Sequence, residues 1–340
     1  MKFFQVSPAA LFFATVIYAT ALGACSFAGA QENPQQPKQT IQVSVDRVSV
    51  GVIVTDASGH FVEGLRREDF RVFDNGVEQP LTGFAAVEEP AQVLLLIEAG
   101  PAVYLLQGGH LQAAVALLDG LSKDDRIAVV KYADSPTALL DFTADKRAAL
   151  ASLGQLQFNL GFGSLNLTSS VSKVLEALTS VQGKKTVVLL TTGVDTSPSS
   201  ESARAMQQLK VGDVRLLAVS LAGELQNPQP INKKKSPAAN SSKTAEQFEQ
   251  ANQLLKGMAE ATGGRAYFPT SAKEFNSVYA EIAQLVRHEY SLAFAPPARD
   301  GLVHSIDTQV VAAQTPAANA FASAYRVDHR RAYVAPPPGQ

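Results

Sequence analysis

The sequence predicts an α/β fold: a doubly wound, mostly parallel, Rossmann-like sheet, joined to a β-sandwich formed by the N- and C-terminal flanks. Three observations carry this. Through the middle of the chain, fully apolar runs such as 93–98 and 186–190 alternate with helical stripes, the pattern of a parallel sheet covered on both faces. The segments on either side, 41–88 and 289–334, read as β alone. Neither buries a core unaided, since lone units near ~40 residues are marginal, so the two are expected to pair into one sandwich.

The elements follow in order. Residues 43–54 alternate with period two, with a slip near Asp46-Arg47 that predicts a bulge. Asn75-Gly76 lies between two strand-like runs, the strongest short hairpin pattern. After residue 90, a buried strand over 93–98 precedes a helical stripe of Leu111, Ala114, Val115 and Leu118, then a strand over 126–132. A helix through Val171, Val174, Leu175 and Leu178 leads to strands over 186–190 and 214–221. Phe248, Ala251, Leu255 and Met258 mark a helix closed by Gly263-Gly264, followed by a short strand over 265–268. Phe275, Val278, Tyr279, Ile282 and Val286 form the last amphipathic helix, and 289–294, 303–311 and 324–334 read as β. Residues 224–243, polar and without periodicity, read as a mobile surface loop whose Lys233-Lys234-Lys235 run is solvated.

The chain start carries an address. Lys2 is the only charge before Gln31, an apolar tract follows, and the stretch ends Phe27-Ala28-Gly29-Ala30, so residues 1–30 read as a secretory signal peptide. Leu22-Gly23-Ala24-Cys25 also matches a bacterial lipobox, which makes Cys25 a lipidation candidate and a possible anchor point; cleavage after Ala30 is the preferred alternative. Both routes export the protein to the periplasm, outer envelope or medium. Residues 31–40 form a flexible leader, and no later apolar run reaches the ~20 residues a membrane span needs.

Composition removes several function classes. The 340 residues are 46% hydrophobic and 18% charged, ordinary globular usage with room for two domains. Lys+Arg 29 against Asp+Glu 31 gives a net charge of -2, which provides no basic field for nucleic acid. A single cysteine excludes an internal disulfide, an iron–sulfur cluster and a cysteine-based zinc site. The five histidines, His60, His110, His288, His304 and His329, form no zinc-binding pair, and no nucleophile elbow is present. Gly161-Phe162-Gly163-Ser164 lacks the rest of a dinucleotide fingerprint, and Gly183-Lys184-Lys185-Thr186 precedes a strand where a phosphate loop would open a helix. An enzyme is therefore not expected.

In a doubly wound sheet, ligands bind beyond the carboxyl ends of the strands, beside the first one, here at Glu98-Ala99-Gly100-Pro101-Ala102. The order and spacing over residues 91–287 resemble a von Willebrand factor type A domain. The flanking Leu65-Arg66-Arg67-Glu68-Asp69-Phe70, Thr262-Gly263-Gly264-Arg265 and Arg331-Ala332-Tyr333 resemble the secreted type A proteins abundant in acidobacteria. That resemblance implies a metal-ion-dependent adhesion site, built from Asp-x-Ser-x-Ser, a loop Thr and a second Asp around Mg²⁺, with one position open to a protein partner's carboxylate.

This chain departs from that pattern. Glu98, Gly100 and Ala102 stand where the Asp and two Ser belong, Ser164 supplies the only hydroxyl in the loop expected to carry the Thr, and Thr192 replaces the second Asp. Mg²⁺ demands near-octahedral oxygen ligation, so Glu98, Ser164 and Thr192 are expected to bind it weakly at best, and no cofactor is expected. Asp195, three residues further on, reads as a turn or cap residue. A buried, uncompensated Glu98 must then take up a proton or find donors, expected from Ser164, Thr192 and the loop of residues 99–107. The reading is an exported, non-enzymatic interaction or adhesion module with an unidentified protein partner and a degenerate adhesion site. The alternatives are a Mg²⁺-dependent domain using Glu98 and, third, an enzyme of unknown class.

Overall fold

The computed structural model describes residues 47–87, 90–104, 107–158, 163–223, 242–311 and 325–338. The expected signal peptide 1–30, Cys25, the leader 31–40 and the start of the first strand lie outside them. So does 224–241; the last two residues of the loop expected over 224–243 are already helical.

The N-terminal flank supplies β1 (Val48–Thr55), β2 (Phe70–Asp74), β3 (Val77–Gln79) and β4 (Leu81–Val87). Asn75 and Gly76 both take positive φ, 48° and 81°, which gives the β2–β3 hairpin the backbone twist its strands need. The middle of the chain runs β5 (Ala91–Glu98), α1 (Pro101–Tyr104), α2 (Gln107–Gly120), β6 (Arg126–Tyr132), β7 (Pro136–Thr143), α3 (Lys146–Leu153), α4 (Leu167–Leu178), β8 (Lys184–Thr191), α5 (Ser199–Val211), β9 (Val214–Ser220), α6 (Ser242–Ala261), β10 (Ala266–Tyr267) and α7 (Ala272–Arg287). The C-terminal flank adds β11 (Glu289–Phe294), β12 (Val303–Val310), β13 (Arg326–His329) and β14 (Ala332–Val334).

The central sheet has the order β10-β9-β8-β5-β6-β7, parallel except for the edge strand β7, which runs antiparallel to β6. Strand order reverses at β5, between β8 and β6, so the switch point falls at Glu98. One face packs on α2 and α7 through Leu117, Phe275, Tyr279 and Ile282. The other packs on α4, α5 and α6 through Val171, Val174, Leu209, Leu255 and Met258. Both faces are apolar, which is why β5, β8 and β9 read as unbroken hydrophobic runs.

The two flanks interleave. One sheet has the order β13-β1-β11-β4 and the other β14-β12-β2-β3, so each mixes strands from both chain ends. Val50, Val52 and Val54 of β1 share a core with Phe70, Val72, Tyr290, Leu292, Phe294, Ile306 and Tyr333. The expected continuous β run over 324–334 is in fact two strands. β13 pairs with β1 and β14 with β12, in different sheets, and the chain crosses between them at Arg330-Arg331.

The sandwich sits against the amino ends of the parallel strands. Arg265, 5% exposed, bonds Asp328 of β13 through Nε (2.7 Å) and Nη2 (2.5 Å), Thr55 Oγ1 (2.8 Å) and Glu281 (2.8 Å). Just before it the backbones nearly touch: a Cβ on Gly263 (φ 68°) would lie 2.1 Å from the carbonyl carbon of His329, and one on Gly264 would lie 1.9 Å from Leu216 O. Thr262 Oγ1 accepts Leu216 N–H at 2.9 Å and donates to Ala259 O at 2.8 Å. The Thr-Gly-Gly-Arg run is thus the joint between the two parts of the molecule. Gly264→Ala should cost about 1–3 kcal/mol, because backbone rather than a flexible side chain has to move. Gly263→Ala should cost more, since left-handed strain of roughly 1–2 kcal/mol adds to the clash. Denaturant melts of the two variants check both.

Candidate functional site

The site grows from the carboxyl ends of three adjacent strands. Glu98 ends β5, Tyr132 ends β6 directly beside it, and Thr191 ends β8 on the other side. All three side chains are fully buried. Glu98 Oε2 accepts from Thr191 Oγ1 (2.9 Å), Thr192 N–H (2.8 Å) and Thr192 Oγ1 (2.8 Å). Tyr132 OH is 3.4 Å from the same oxygen but 2.7 Å from Thr191 Oγ1, and each hydroxyl carries one proton, so the chain runs Tyr132 to Thr191 to Glu98. Gly193 N–H donates to Thr191 Oγ1 at 2.9 Å and fixes its orientation.

The other carboxylate oxygen, Oε1, is buried and has no hydrogen-bond partner. It lies beneath Gly100, where a Cβ would be 3.2 Å from Oε1 and 2.9 Å from Leu165 Cδ2. Leu165 thus closes the space over the carboxylate. Burial raises the Glu98 pKa above the ordinary carboxylate value, outweighing the lowering by the bonds from Thr192, Thr191 and Tyr132. Burial, with the nearby Glu98 charge second, pushes the Tyr132 phenol well above its usual value.

Of the expected site residues, Glu98 and Thr192 come together as direct partners, and Gly100 lies beside them. Ala102 lies in α1. Ser164 was expected to donate but is exposed and is not among the bonds to Glu98; Leu165, next in the loop, points to the carboxylate instead. The expected amides of residues 99–107 are not among those bonds either, and Ala99 N–H is taken by Tyr132 O at 2.7 Å; residues 105–106 lie outside the described ones. Thr191 and Tyr132, not singled out from sequence, supply the missing donors. The sequence trace of Thr191 is the polar pair Thr191-Thr192 that follows the apolar run 187–190.

Around this buried centre three loops are bonded into one surface. Asn166 N–H donates to Ala133 O (2.8 Å), and Asn166 Nδ2 donates to Asp134 O and Oδ1 (both 3.0 Å). Thr196 N–H donates to Leu165 O (2.8 Å), Leu165 N–H to Thr196 Oγ1 (2.9 Å), and Thr196 Oγ1 to Asn166 Oδ1 (2.9 Å). Asp195 is a cap, as expected, but of α4 rather than of the helix that follows it. It accepts from Thr168 N–H (3.3 Å) and Thr168 Oγ1 (2.6 Å), and from Ser197 N–H (3.0 Å). Asp134, Ser135, Gly163, Ser164, Val194 and Thr196 are exposed on this end.

Elsewhere, His304 joins Asp74 (2.9 Å) and Asp300 (3.1 Å) within the sandwich, and His329 accepts Thr308 N–H (3.1 Å). Among the described residues, no group of three His, Cys, Asp or Glu side chains is arranged to hold a metal ion, and no helix is long and apolar enough to cross a membrane.

A doubly wound sheet with its candidate site at the β5 switch point is the architecture of a von Willebrand factor type A domain. The family's sequence profile matches residues 110–279, and the chain belongs to the von Willebrand factor type A domain family. Domains of this family serve generally as protein-interaction modules. No curated protein matches the chain. Among solved structures it is similar to a von Willebrand factor type A protein from Catenulispora acidiphila, with 12% identity, a TM-score of 0.44, and 79% of this chain and 74% of that one covered. It is also similar to an aerotolerance-related membrane protein from Bacteroides fragilis (14%, 0.43, 58% and 98%) and to the PilB minor pilin from Streptococcus sanguinis (11%, 0.41, 61% and 63%).

The site makes a stability prediction. Because the folded-state pKa of Glu98 lies above its unfolded value, the folded protein keeps a proton that the unfolded chain has lost between the two values. Wild-type stability therefore falls as pH rises from the ordinary carboxylate value through the raised one. Glu98→Gln should abolish this slope and match or exceed wild type at neutral pH. Glu98→Ala, which strands the Thr192 N–H and two hydroxyls, should cost about 1–3 kcal/mol per stranded group. Thermal melts of the three proteins between acid and neutral pH check this; a Glu98→Gln protein with an unchanged slope contradicts it.

Proposed function

We propose that the protein is an exported, non-enzymatic interaction module that recognises a protein partner through the bonded loops at the carboxyl end of its central sheet, without a bridging metal. The observation that carries this reading is the state of Glu98. One oxygen is saturated by internal donors, and the other is sealed beneath Gly100 and Leu165, so no carboxylate oxygen is presented outward. The residues do not fit Mg²⁺. An octahedral site needs several convergent oxygens, whereas Gly100, Ala102 and Leu165 bring none and both threonine hydroxyls already serve Glu98. The degenerate adhesion site is thus a plug beneath a recognition surface.

Two features support interaction rather than catalysis. The loops are cross-bonded through Asn166 and Thr196, so little ordering entropy is lost when a partner docks. The perturbed groups, Glu98 and Tyr132, are fully buried and cannot meet a substrate. Export rests on the secretory pattern of residues 1–30, with cleavage after Ala30 or lipidation at Cys25 as its two outcomes. The second reading, Mg²⁺-dependent binding through Glu98, requires Leu165 to move aside.

Isothermal calorimetry tests the metal-free reading. The natural protein should give no Mg²⁺ heat from micromolar to low-millimolar concentration. A variant carrying Glu98→Asp, Gly100→Ser, Ala102→Ser, Leu165→Thr and Thr192→Asp should acquire binding. Comparable Mg²⁺ binding by the natural protein overturns the reading. A photo-crosslinking residue at exposed Val194 should capture envelope or extracellular proteins with and without EDTA, whereas one at Val77 on the sandwich hairpin should not; no capture from Val194 contradicts an interaction role there.

A further inference from the structure

A second polar centre lies at the opposite end of the sheet, where the amino ends of β8 and β9 meet the sandwich. A cleft of about 100 Å³ is lined there by Lys184, Lys185, Arg215 and Arg330, with Glu289 and Asp213 as the only carboxylates among the described residues that line it. Four cationic side chains face two anionic ones. Lys185 and Asp213 are matched at 2.7 Å. Of the remaining three cations, Lys184 and Arg215 share Glu289, which is 3.5 Å from Lys184 Nζ and 3.1 Å from Arg215 Nη1, while Arg330 feels the already matched Asp213. An excess of two positive charges is left.

The cleft is also short of acceptors. Lys184 and Arg215 are more than nine-tenths buried, yet Lys184 Nζ and Arg215 Nε have no hydrogen-bond partner, and neither does the buried Nε of Arg330. Of the guanidinium nitrogens, Arg215 Nη1 bonds Glu289, Arg215 Nη2 is spent on Gly51 O (3.1 Å) and Arg330 Nη2 on Ser49 O (2.7 Å). Burial holds the Lys184 ammonium below its ordinary value, with Glu289 pulling it up and Arg215 pushing it further down. Buried donors are almost always satisfied, and buried cations almost always paired. Three exceptions lining one cleft therefore call for a missing anionic acceptor.

The geometry points to a binding site for a doubly charged tetrahedral oxyanion of the phosphate or sulfate class, held between the α/β domain and the sandwich by Lys184, Arg215 and Arg330. Charge and size agree. Two negative charges cancel the excess, several oxygens meet the three unpartnered donors, and a volume of about three waters admits one such group. Arg and Lys together supply the forked and point-charge donors that such groups prefer. Because both parts of the molecule contribute donors, the bound anion would tie the sandwich to the sheet. The site is independent of the recognition surface above Glu98.

The test uses the full mature chain, with inorganic phosphate, inorganic sulfate and phosphoserine as probes. Melting temperature is followed against sodium chloride at matched ionic strength. A saturable rise with phosphate or sulfate is expected. Lys184→Gln and Arg330→Gln should each weaken it at least tenfold while circular dichroism stays native; the half-buried Arg330 keeps the test open if the Lys184 variant does not fold. Phosphoserine acting as well as the free ion identifies a monoester as the source, and silence with phosphoserine identifies the free ion. No saturable rise, or the same rise in the folded variants, overturns the proposal. In the latter case the ion is adventitious only.

Discussion

A carboxylate buried at the end of a parallel strand has to be compensated, and the candidate site is organised around that constraint. In the adhesion site that the family resemblance implies, a cation does the compensating. Here hydroxyls do it: Thr191 at the end of β8, Thr192 just after it, and Tyr132 at the end of β6 converge on one oxygen of Glu98. The longer Glu side chain and the exchange of Asp for Thr at 192 act together. Glu98 brings the acceptor and Thr192 two of the donors, and together they make an internal hydrogen-bonded knot. Once Glu98 is tied inward, Gly100 has no ligand to offer and Leu165 can close over the top.

The same sheet carries two polar centres of opposite sign at its two ends. Above the carboxyl ends lies the buried acid with its hydroxyl donors. Below the amino ends lie Lys184, Arg215 and Arg265, packed against the sandwich. Arg265 is fully partnered by Asp328, Glu281 and Thr55 and acts as a joint. Lys184 and Arg215 share Glu289. Breaking a buried pair strands a charge, so the joint resists change at Arg265 far more than at exposed ion pairs such as Arg204–Glu176. The sandwich grips the base of the domain and leaves the loops at the other end exposed.

Much of this was legible in the sequence, for identifiable reasons. Strands β5, β8 and β9 are buried on both faces, so their apolar runs stand out. The pairing of the two flanks followed from their being too short to fold alone. Edge strand β7 and helix α3 were not foreseen, because a half-buried strand such as Pro136–Thr143 shows no clean alternation. The split of 324–334 was hidden because a strand crossing between sheets keeps its β composition throughout. At the site, Glu98, Gly100, Ala102 and Thr192 were named from the family resemblance, and the structure brings Glu98 and Thr192 into direct contact. Side-chain direction could not. Ser164 matched the chemistry, but its neighbour Leu165 faces the carboxylate, and Tyr132 and Thr191 look like ordinary strand residues until three strand ends are placed side by side.

Glu98 is held by protein donors and, in the metal-free reading proposed above, offers nothing to a cation. Paramagnetic broadening of backbone amide resonances by Mn²⁺ reads this most directly, because it reports where a divalent ion rests rather than whether heat is released. Mn²⁺ at micromolar to low-millimolar concentration should leave the amides of Gly100, Thr191, Thr192 and Gly193 as sharp as those of the sheet interior. Selective, saturable broadening centred on those four residues would contradict it.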